Sequence, residues 1–334
     1  MKEKEEPVVV TSFKRKETIT PVFVAEGKKA EYEPVILKYD LGKNEEKKGF
    51  YVDMPKLDLT SVALKNMADE TKSYLKNEGY SIKDDDLKCF ISSLTSRLIY
   101  IPLDDFPESV LSIAKYFTGS VYYAESPNDA SILKCLYSAC CNPKTIHFLL
   151  WKLKPNVPMP EYLVRYINFP SSSVEMIMNE YINESYIGKV RLTDNIFVII
   201  CGNIDLLEQR LKRQYAIFNP RWKRVEKENV GFKSISLNSF KNMYKVMDVV
   251  SDSLWTKVSQ IEDILISMKI TLENKDYNHL DDYLVTLVNQ GIDENQAIIY
   301  LIENRLFPMV AKEVLEELKR RLNEVGLYSG RENS

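Results

Sequence analysis

The fold of this chain is decided by the stretch Tyr162-Leu-Val-Arg-Tyr-Ile-Asn-Phe-Pro-Ser-Ser-Ser173 and by Asn195-Ile-Phe-Val-Ile-Ile-Cys-Gly-Asn203 beyond it. The short apolar runs Tyr162–Ile167 and Ile196–Cys201 have the length and the β-branched content of buried parallel strands. Between them, residues Ser173–Ile187 carry apolar side chains at helical spacing. We therefore predict a strand–helix–strand unit in this part of the chain.

The order of these segments resembles the core of the AAA+ ATPases, particularly their MoxR-like branch. In that family, a strand ends in the Walker B sequence Asp-Glu-Ile-Asn, and a proline with small polar residues precedes the next helix. A second strand then ends in a polar sensor residue, usually asparagine. Four residues of this chain match that pattern: Ile167, Asn168, Pro170 and Asn203.

Arg165 and Tyr166 stand where the resemblance places the two Walker B carboxylates. In the family, the Asp holds the Mg²⁺ that bridges the phosphates, and the Glu polarises the attacking water. Arginine would repel the metal ion, and tyrosine is a poor base near neutral pH. The resemblance therefore implies a degenerate Walker B motif. An alternative interpretation is that Tyr162–Ile167 is an ordinary core strand unrelated to this family.

The phosphate-binding loop of such a core lies upstream, between a strand and a helix that begins with Lys-Ser or Lys-Thr. Pro102-Leu-Asp-Asp-Phe-Pro-Glu-Ser109 has this place between the predicted strand Leu98–Ile101 and helix Val110–Phe117. A second candidate is Ala124-Glu-Ser-Pro-Asn-Asp-Ala-Ser131, which precedes helix Ile132–Cys141. We favour the first, because it leaves room for the helix, strand and helix that the family has before Walker B. Residues Ser120–Ala124 and Ser131–Cys141 supply that strand and second helix.

The favoured loop matches the family pattern at Ser109 alone. Pro102 and Pro107 replace its glycines, and Glu108 replaces its lysine. Proline removes an amide donor and fixes φ, and glutamate places a negative charge where the phosphates would lie. We therefore expect no bound cofactor. ATP and Mg²⁺ would bind only if this interpretation of the motifs is wrong.

Two arginines follow the predicted sensor residue Asn203. Family members carry an arginine finger in this segment, which reaches the γ-phosphate of a neighbouring subunit. Arg213 is the first candidate for that role, and Arg210 is the second. The alternative is that both arginines lie on the exposed face of a short helix.

A dense basic and aromatic patch follows Pro220. Its residues are Arg221, Trp222, Lys223 and Arg224, with Lys227 close behind. Such a patch could contact nucleic acid phosphates, with Trp222 stacking on a base, or an acidic partner surface. The alternative is a solvated linker with Trp222 packed on the core.

The pattern divides the chain into three parts. Residues 1–58 form an N-terminal arm with short strands, residues 59–220 an α/β core, and residues 221–334 a helical C-terminal domain. The fold class is a P-loop-NTPase-like parallel sheet of AAA+ type followed by an all-helical, lid-like bundle. Five segments of the last part carry an apolar helical face: Phe240–Leu254, Trp255–Ile270, Leu280–Gln290, Asn295–Asn304 and Pro308–Val325. The family's lid supplies an arginine to the nucleotide, but the sequence does not assign that role to Arg305, Arg320 or Arg321.

Composition indicates a globular protein, with 45% hydrophobic and 28% charged residues. The net charge of −3 and the sequence pI of about 5.7 give no global signal for nucleic acid. No apolar run is long enough to cross a bilayer, so we expect a cytoplasmic protein, or one in the host cytoplasm if it is viral. The five cysteines and two histidines have no spacing typical of a zinc site, and His147 is expected to pack in the core.

These observations favour a catalytically inactive AAA+-like subunit, a pseudo-ATPase that serves as an assembly, scaffold or regulatory partner. Its partner would be an active ATPase or another copy of the chain. One alternative is a non-catalytic clamp-loader-like or other nucleic-acid-processing subunit. A second is an active ATPase of divergent motif. A third is an enzyme with an unrelated α/β fold and a Mg²⁺ site at Asp104, Asp105 and Glu108.

Overall fold

The computed structural model describes residues 18–20, 38–40, 64–168, 195–235 and 250–329. Strands β1 (Thr18–Thr20) and β2 (Lys38–Asp40) pair antiparallel. The elements of the α/β core follow in this order: α1 (Leu64–Glu78), β3 (Tyr80–Ile82), α2 (Asp84–Ser93), β4 (Leu98–Ile101), α3 (Glu108–Thr118), β5 (Tyr122–Ala124), α4 (Ala130–Cys141), β6 (His147–Lys152), α5 (Glu161–Asn168), β7 (Ile196–Cys201), β8 (Tyr215–Ile217) and β9 (Trp222–Arg224).

A five-stranded sheet with the order β5-β6-β7-β4-β8 lies at the centre of the core. Every neighbouring pair in it is parallel. The predicted strands Leu98–Ile101 and Ile196–Cys201 lie side by side in register, with Ile101 opposite Cys201. The prediction of a parallel α/β core is therefore confirmed.

Helices cover both faces of this sheet, because successive side chains of a strand point in opposite directions. On β7, Phe197 and Ile199 belong to an apolar cluster with side chains of α1, α2 and α3. Val198 and Ile200, which alternate with them, belong to a second cluster with side chains of α4 and α5. All six residues of β7 are buried, as expected for a central strand covered on both faces.

The C-terminal part is helical from Asp252 onward, whereas residues 221–235, which the prediction placed in the helical domain, are extended and pair with the core. Its elements are α6 (Asp252–Ser267), α7 (Asn274–Asn289), α8 (Glu294–Leu301), a π-helical segment (Ile302–Leu306), α9 (Phe307–Met309) and α10 (Lys312–Glu324). These helices share an apolar core, to which Cys89 of α2 also contributes. Residues 240–249 of the predicted helix Phe240–Leu254 lie outside the described residues.

Polar contacts fasten this bundle to α2 of the core. Gln290 Nε2 donates to the carbonyl of Lys88 at 3.0 Å and to Ser92 Oγ at 2.8 Å. The hydroxyl of Tyr300 donates to Asp85 Oδ2 at 3.0 Å. Since Gln290 and Ser92 are buried, the bundle and α2 form a continuous packed interface.

An extended segment, the strap (residues 221–235), connects the core to the residues before the bundle. At its start, β9 pairs antiparallel with β3. Beyond β9, the amide of Val225 donates to the carbonyl of Gly79 at 3.0 Å. Asn77 then exchanges two hydrogen bonds with the backbone of Val230, at 2.7 and 2.8 Å. The strap is thus held along α1 and β3 by hydrogen bonds from the backbone of both elements and from the Asn77 side chain.

The predicted strand Tyr162–Ile167 is wrong, because these residues lie in helix α5. Leu163, Val164, Tyr166 and Ile167 are all buried, a spacing that places them on one helical face. The carbonyl of Pro160 accepts the amides of Leu163 and Val164 and so begins the helix. The predicted helix Ser173–Ile187 lies outside the described residues.

The strand that pairs with β7 in place of Tyr162–Ile167 is β6. The sequence prediction considered its apolar run Ile146–Trp151 only as the surroundings of His147. His147 is fully buried, which confirms the prediction that it packs in the core. Burial lowers the pKa of His147 to about 4. Within the described ranges, no helix combines the length and apolar character needed to cross a bilayer.

Candidate functional site

Three strands of the central sheet end together at its carboxyl edge. Lys152 at the end of β6 pairs with Cys201 at the end of β7, and Cys201 pairs with Ile101 at the end of β4. The predicted phosphate-binding loop, residues 102–109, leaves β4 at this edge, and its last two residues begin α3. Loops at the carboxyl ends of parallel strands form the ligand sites of open α/β sheets, so this edge is the candidate site.

The backbone of this edge is tightly packed around Gly202. Its amide donates to the carbonyl of Leu103 at 2.8 Å, and its carbonyl accepts the hydroxyl of Tyr100 at 3.1 Å. Gly202 has φ +99°, and a Cβ at this position would lie 2.9 Å from the carbonyl oxygen of Leu153. Glycine is therefore required here by its backbone conformation and by the close approach of the segment after β6.

The start of α3 carries the residues that replace the phosphate-loop motif. Pro107 is the residue before the helix, in an extended conformation, and provides no side-chain cap. Ser109 is fully buried, and its hydroxyl has no hydrogen-bond partner. Glu108 accepts the hydroxyl of Tyr80 at 2.7 Å and also binds Arg224 of the strap. Glu108, which stands where the family's phosphate-binding lysine would be, is thus a carboxylate paired with Arg224.

Ion pairs join the loops of the carboxyl edge. Lys152 Nζ lies 2.8 Å from Asp105 Oδ2, and Lys154 Nζ pairs with Glu125. Lys152 beside Asp105 holds the pKa of that carboxyl below its usual range. Lys154 does the same for Glu125, with help from the hydroxyl of Tyr123. The negative charges thus lie on the loops after β4 and β5, and the positive charges lie at the end of β6 and just beyond it.

Asn203 lies at the same edge, directly after β7 and Gly202. Its Oδ1 accepts the amide of Asp205 at 2.9 Å and so caps the short 3₁₀ turn Ile204–Leu206. Asp205 in turn forms an ion pair with Lys312 of α10 at 2.7 Å. The side-chain oxygen of the predicted sensor residue is therefore used in a local turn, which connects the sheet edge to the bundle.

Arg165 and Tyr166 are not at this edge. Tyr166 is fully buried, and its hydroxyl donates to the carbonyl of Ile196, the first residue of β7, at 2.9 Å. Arg97, directly before β4, lies over the Tyr166 ring. Both neighbours mark the amino edge of the sheet. A Walker B motif lies at the carboxyl end of a strand, whereas Arg165 and Tyr166 lie in helix α5. Their assignment to that motif was therefore wrong.

The two predicted finger arginines bind acidic side chains of this chain. Arg210 pairs with Glu161 of α5 and, at 2.9 Å, with Glu208. Arg213 lies 3.7 Å from Asp276 of α7, which is fully buried. Arg210 thus holds the segment after β7 against α5, and Arg213 faces the bundle.

Arg305, from the π-helical segment, also lies at the amino edge of the sheet. It is fully buried, and its Nη1 donates to the carbonyl of Tyr215, which begins β8 opposite Leu98. Its Nε and Nη2 have no hydrogen-bond partner. Burial lowers the pKa of Arg305 to about 10, although the nearby Asp276 acts in the opposite direction. Arg305 is therefore far along the strands from the candidate site.

The basic patch is partly neutralised by carboxylates. Arg221 forms a two-point ion pair with buried Asp86, with Nη2 at 2.7 Å from Oδ1 and Nε at 3.0 Å from Oδ2. Arg224 binds Glu108. Trp222 packs edge-on against the ring of Tyr80 and stays partly exposed. Arg221 thus holds the strap to the core, and Arg224 holds it to the start of α3.

Within the part of the chain that the structure describes, no three His, Cys, Asp or Glu side chains converge in a way that could hold a metal ion. Of the proposed acidic metal set, Asp105 is paired with Lys152 and Glu108 with Arg224. The sequence interpretation missed Lys152 and Lys154. Their signal was the basic ending of the apolar run Ile146–Trp151.

Comparison with protein-family models found no match, and comparison with curated proteins found none either.

Proposed function

We propose that this chain is a catalytically inactive subunit with a P-loop-NTPase-like core of AAA+ type, which acts as an assembly, scaffold or regulatory partner of an active ATPase. The observation that carries the proposal is the reversed charge at the carboxyl edge, where Lys152 of β6 pairs with Asp105 of the loop after β4. A working nucleotide site has the opposite arrangement, with a carboxylate at the strand end and cationic or amide donors in the loop.

The position of β6 supports this assignment. It is the strand that follows the second helix after the loop, which is the place that the AAA+ resemblance gives to Walker B. Lys152 and Leu153 lie at its end, so neither a metal-binding nor a water-polarising carboxylate is present there. A lysine at the metal position opposes Mg²⁺ by charge repulsion.

The loop itself does not fit the phosphates of a nucleotide. Pro102 and Pro107 have no amide hydrogen, and the amide of Leu103 already donates to the carbonyl of Ile101 at 2.8 Å. The amide of Phe106 donates to Asp105 Oδ1 at 3.3 Å. Asp104 adds a negative charge to the loop, and Asp105 and Glu108 stand where cationic or amide donors would meet a polyphosphate. The residues present therefore fit neither Mg²⁺ nor ATP.

The attachment of the bundle favours a scaffold over a motor. A lid that responds to nucleotide must move relative to the core. Here Gln290, Tyr300 and Arg305 join the bundle to α2 and β8 through contacts that include buried groups. The pairing of Arg221 and Arg224 with carboxylates weakens the nucleic-acid alternative, because these side chains are already neutralised.

Isothermal titration calorimetry with Mg²⁺-ATP tests the proposal directly. We expect no binding heat for the full-length protein and no phosphate release in a hydrolysis assay. Binding at micromolar ATP that is weakened by Ser109→Ala would overturn it, because that change touches only the one matching residue of the loop. Affinity purification from the native cell should in addition recover an ATPase subunit, and recovery of the chain alone at native abundance would contradict the partner role.

A further inference from the structure

The outer edge of β9 is the side of this strand that faces away from β3. The amide of Val225, the residue after β9, donates to the carbonyl of Gly79 at 3.0 Å. Lys223, two residues earlier, turns its backbone toward β3 in the same way, because backbone groups alternate in direction along an antiparallel strand. The amides and carbonyls of Trp222 and Arg224 therefore point outward. Among the described strands, β9 pairs with β3 alone, so its outer edge offers these groups to a further strand.

The side chains of β9 leave this edge accessible. All three residues of β9 are exposed, whereas Ile82 of β3 is buried. Trp222 packs edge-on against Tyr80, with the ring centroids 5.9 Å apart, and is 37% exposed. Tryptophan is enriched among the residues that anchor protein interfaces, because its ring provides a large contact area at a low cost in conformational entropy. Trp222 thus adds an apolar contact beside the outward backbone groups.

Ion pairs fix both ends of β9 to the core. Arg221, directly before the strand, binds buried Asp86 at two points, and Arg224 at its end binds Glu108. The strand is therefore extended and held in place in the free chain. A partner that pairs with it has little of this chain to order, and binding to a preorganised edge loses less conformational entropy.

The charge of the strap favours an acidic partner strand. Residues 221–235 contain five basic and two acidic residues. Lys223 is exposed at the middle of β9. Lysine on an edge strand opposes pairing with a strand of like charge, whereas opposite charges on neighbouring strands attract. A second copy of β9 would bring its own lysine and arginine, so an acidic segment of another protein fits this edge better.

We propose that the outer edge of β9 is a docking site for an extended, acidic segment of a partner protein, which pairs with it as an additional β-strand. The backbone groups of Trp222 and Arg224 form the hydrogen bonds, and Lys223 attracts the carboxylates of the incoming strand. In strand addition of this kind, main-chain hydrogen bonds give affinity and side chains give specificity. The inference goes beyond the proposed function, because it does not depend on the chemistry of the carboxyl edge.

Fluorescence anisotropy with labelled peptides and the full-length protein tests the site. The first peptide alternates glutamate and valine, and the second has lysine in place of every glutamate. Two further peptides are copies of the first, one N-methylated at the glutamate amides and the other at the valine amides. We expect saturable binding of the first peptide and none of the second. One methylated copy should lose binding and the other should keep it, because an added strand turns alternate amides toward β9.

The matched variants for the backbone contact are Trp222→Ala and Trp222→Pro. Both remove the indole ring, but only proline also removes the outward amide, and proline is tolerated on an edge strand where the N–H faces solvent. We expect Trp222→Ala to weaken binding of the first peptide by about fivefold and Trp222→Pro by about fivefold more. The two variants should have the same thermal midpoint.

The charge contribution is tested with Lys223→Gln and Lys144→Gln. Each removes one positive charge, but Lys144 is exposed in the turn before β6, away from the strap. We expect Lys223→Gln to weaken binding by about threefold and Lys144→Gln to change it by less than about 1.5-fold.

Four results would overturn the proposal. The first is the absence of saturable binding at millimolar peptide, and the second is an equal effect of the two methylated copies, which would indicate attraction by charge alone. The third is tighter binding of a single-stranded oligodeoxynucleotide that Lys223→Gln weakens, since the patch would then bind nucleic acid. The fourth is self-association, measured by analytical ultracentrifugation, that Trp222→Pro abolishes and Trp222→Ala does not, since the added strand would then come from a second copy of the chain.

Discussion

The two edges of the central sheet hold their charges in different ways. At the carboxyl edge, Asp105 and Lys152 form an ion pair in which the side chain of Asp105 is 71% exposed. At the amino edge, Arg305 and Asp276 are both fully buried. In an open α/β enzyme, the carboxyl edge is the functional one, and groups with strongly perturbed pKa values gather there. Among the described residues, the buried charged side chains of Arg305 and Asp276 lie at the amino edge, where the bundle joins the core.

The difference indicates which edge the fold depends on. Exposed ion pairs contribute little to stability, whereas removal of one partner from a buried set of charges is costly. We therefore expect substitutions at the amino edge to unfold the protein and substitutions of the carboxyl-edge side chains to be tolerated.

The largest effect on stability is expected for Arg305→Ala. If this variant were as stable as the parent, the proposed difference between the two edges would be wrong. The change removes the donor to the carbonyl of Tyr215 and opens a cavity where a large, fully buried side chain lay. We expect the free energy of unfolding in urea to fall by about 3–5 kcal/mol, as for other large buried side chains replaced by alanine. A loss smaller than that of a typical surface substitution would show that the buried amino edge does not hold the bundle.

Gly202→Ala tests whether the backbone of the carboxyl edge contributes to stability even though the side chains there are expected to contribute little. An alanine would have to adopt φ +99° with its Cβ 2.9 Å from the carbonyl oxygen of Leu153. We expect a loss of about 1–3 kcal/mol in the same unfolding measurement. Gly231→Ala is the control, because a Cβ there meets nothing within 4 Å. Equal stabilities of the two variants would refute the close approach between the segments after β6 and β7.

Asp281→Asn should act in the opposite direction, because Asp281 of α7 is half-buried near the carboxylates of Glu262 and Asp282, whereas Asp105 and Asp276 at the two edges lie beside cations. The pKa of Asp281 is raised to about 6 in the folded chain by burial, then by Glu262 and Asp282. The native state therefore loses stability as this group ionises between about pH 4 and pH 6. We expect the variant to be more stable by about 1 kcal/mol above pH 7, a value reduced for solvent screening, and equal to the parent near pH 4.

Thermal unfolding followed across that pH range checks this prediction. Asp263→Asn is the control, since its carboxylate is exposed on α6. An Asp281→Asn variant that is less stable than the parent at pH 7 would mean that the carboxylate has a favourable partner.

Lys152→Ala is expected to have the smallest effect. Its partner Asp105 is exposed, so water hydrates that carboxylate once the ammonium group is removed. The thermal midpoint should stay unchanged within experimental error. A destabilisation comparable to that of Arg305→Ala would remove the distinction between the two edges.

The sequence predicted those parts of the fold whose apolar runs had clear boundaries. The runs Leu98–Ile101 and Ile196–Cys201 were identified as strands, and they are neighbours in one parallel sheet. Tyr162–Ile167 was misread, because a six-residue apolar run does not by itself distinguish a strand from a short helix. Pro160 and Glu161 at the start of α5 are helix-start signals that would have decided between the two.

The candidate site was predicted only in part, for a related reason. The loop 102–107 and Asn203 do lie at the carboxyl edge, as the interpretation required. Lys152 could not be assigned there while the third strand was placed at Tyr162–Ile167. The pairing of Arg213 with Asp276 joins residues far apart in the chain, and no local pattern announces such a contact.

Strand β8 forms one end of the sheet and has only three residues. The π-helical segment Ile302–Leu306 and helix α9 lie against it. An edge strand that faces solvent offers unpaired backbone groups to other chains and so promotes aggregation. The bundle therefore also acts as a cover for this edge, and a fragment that ends near Pro220 would expose a surface prone to intermolecular β-pairing.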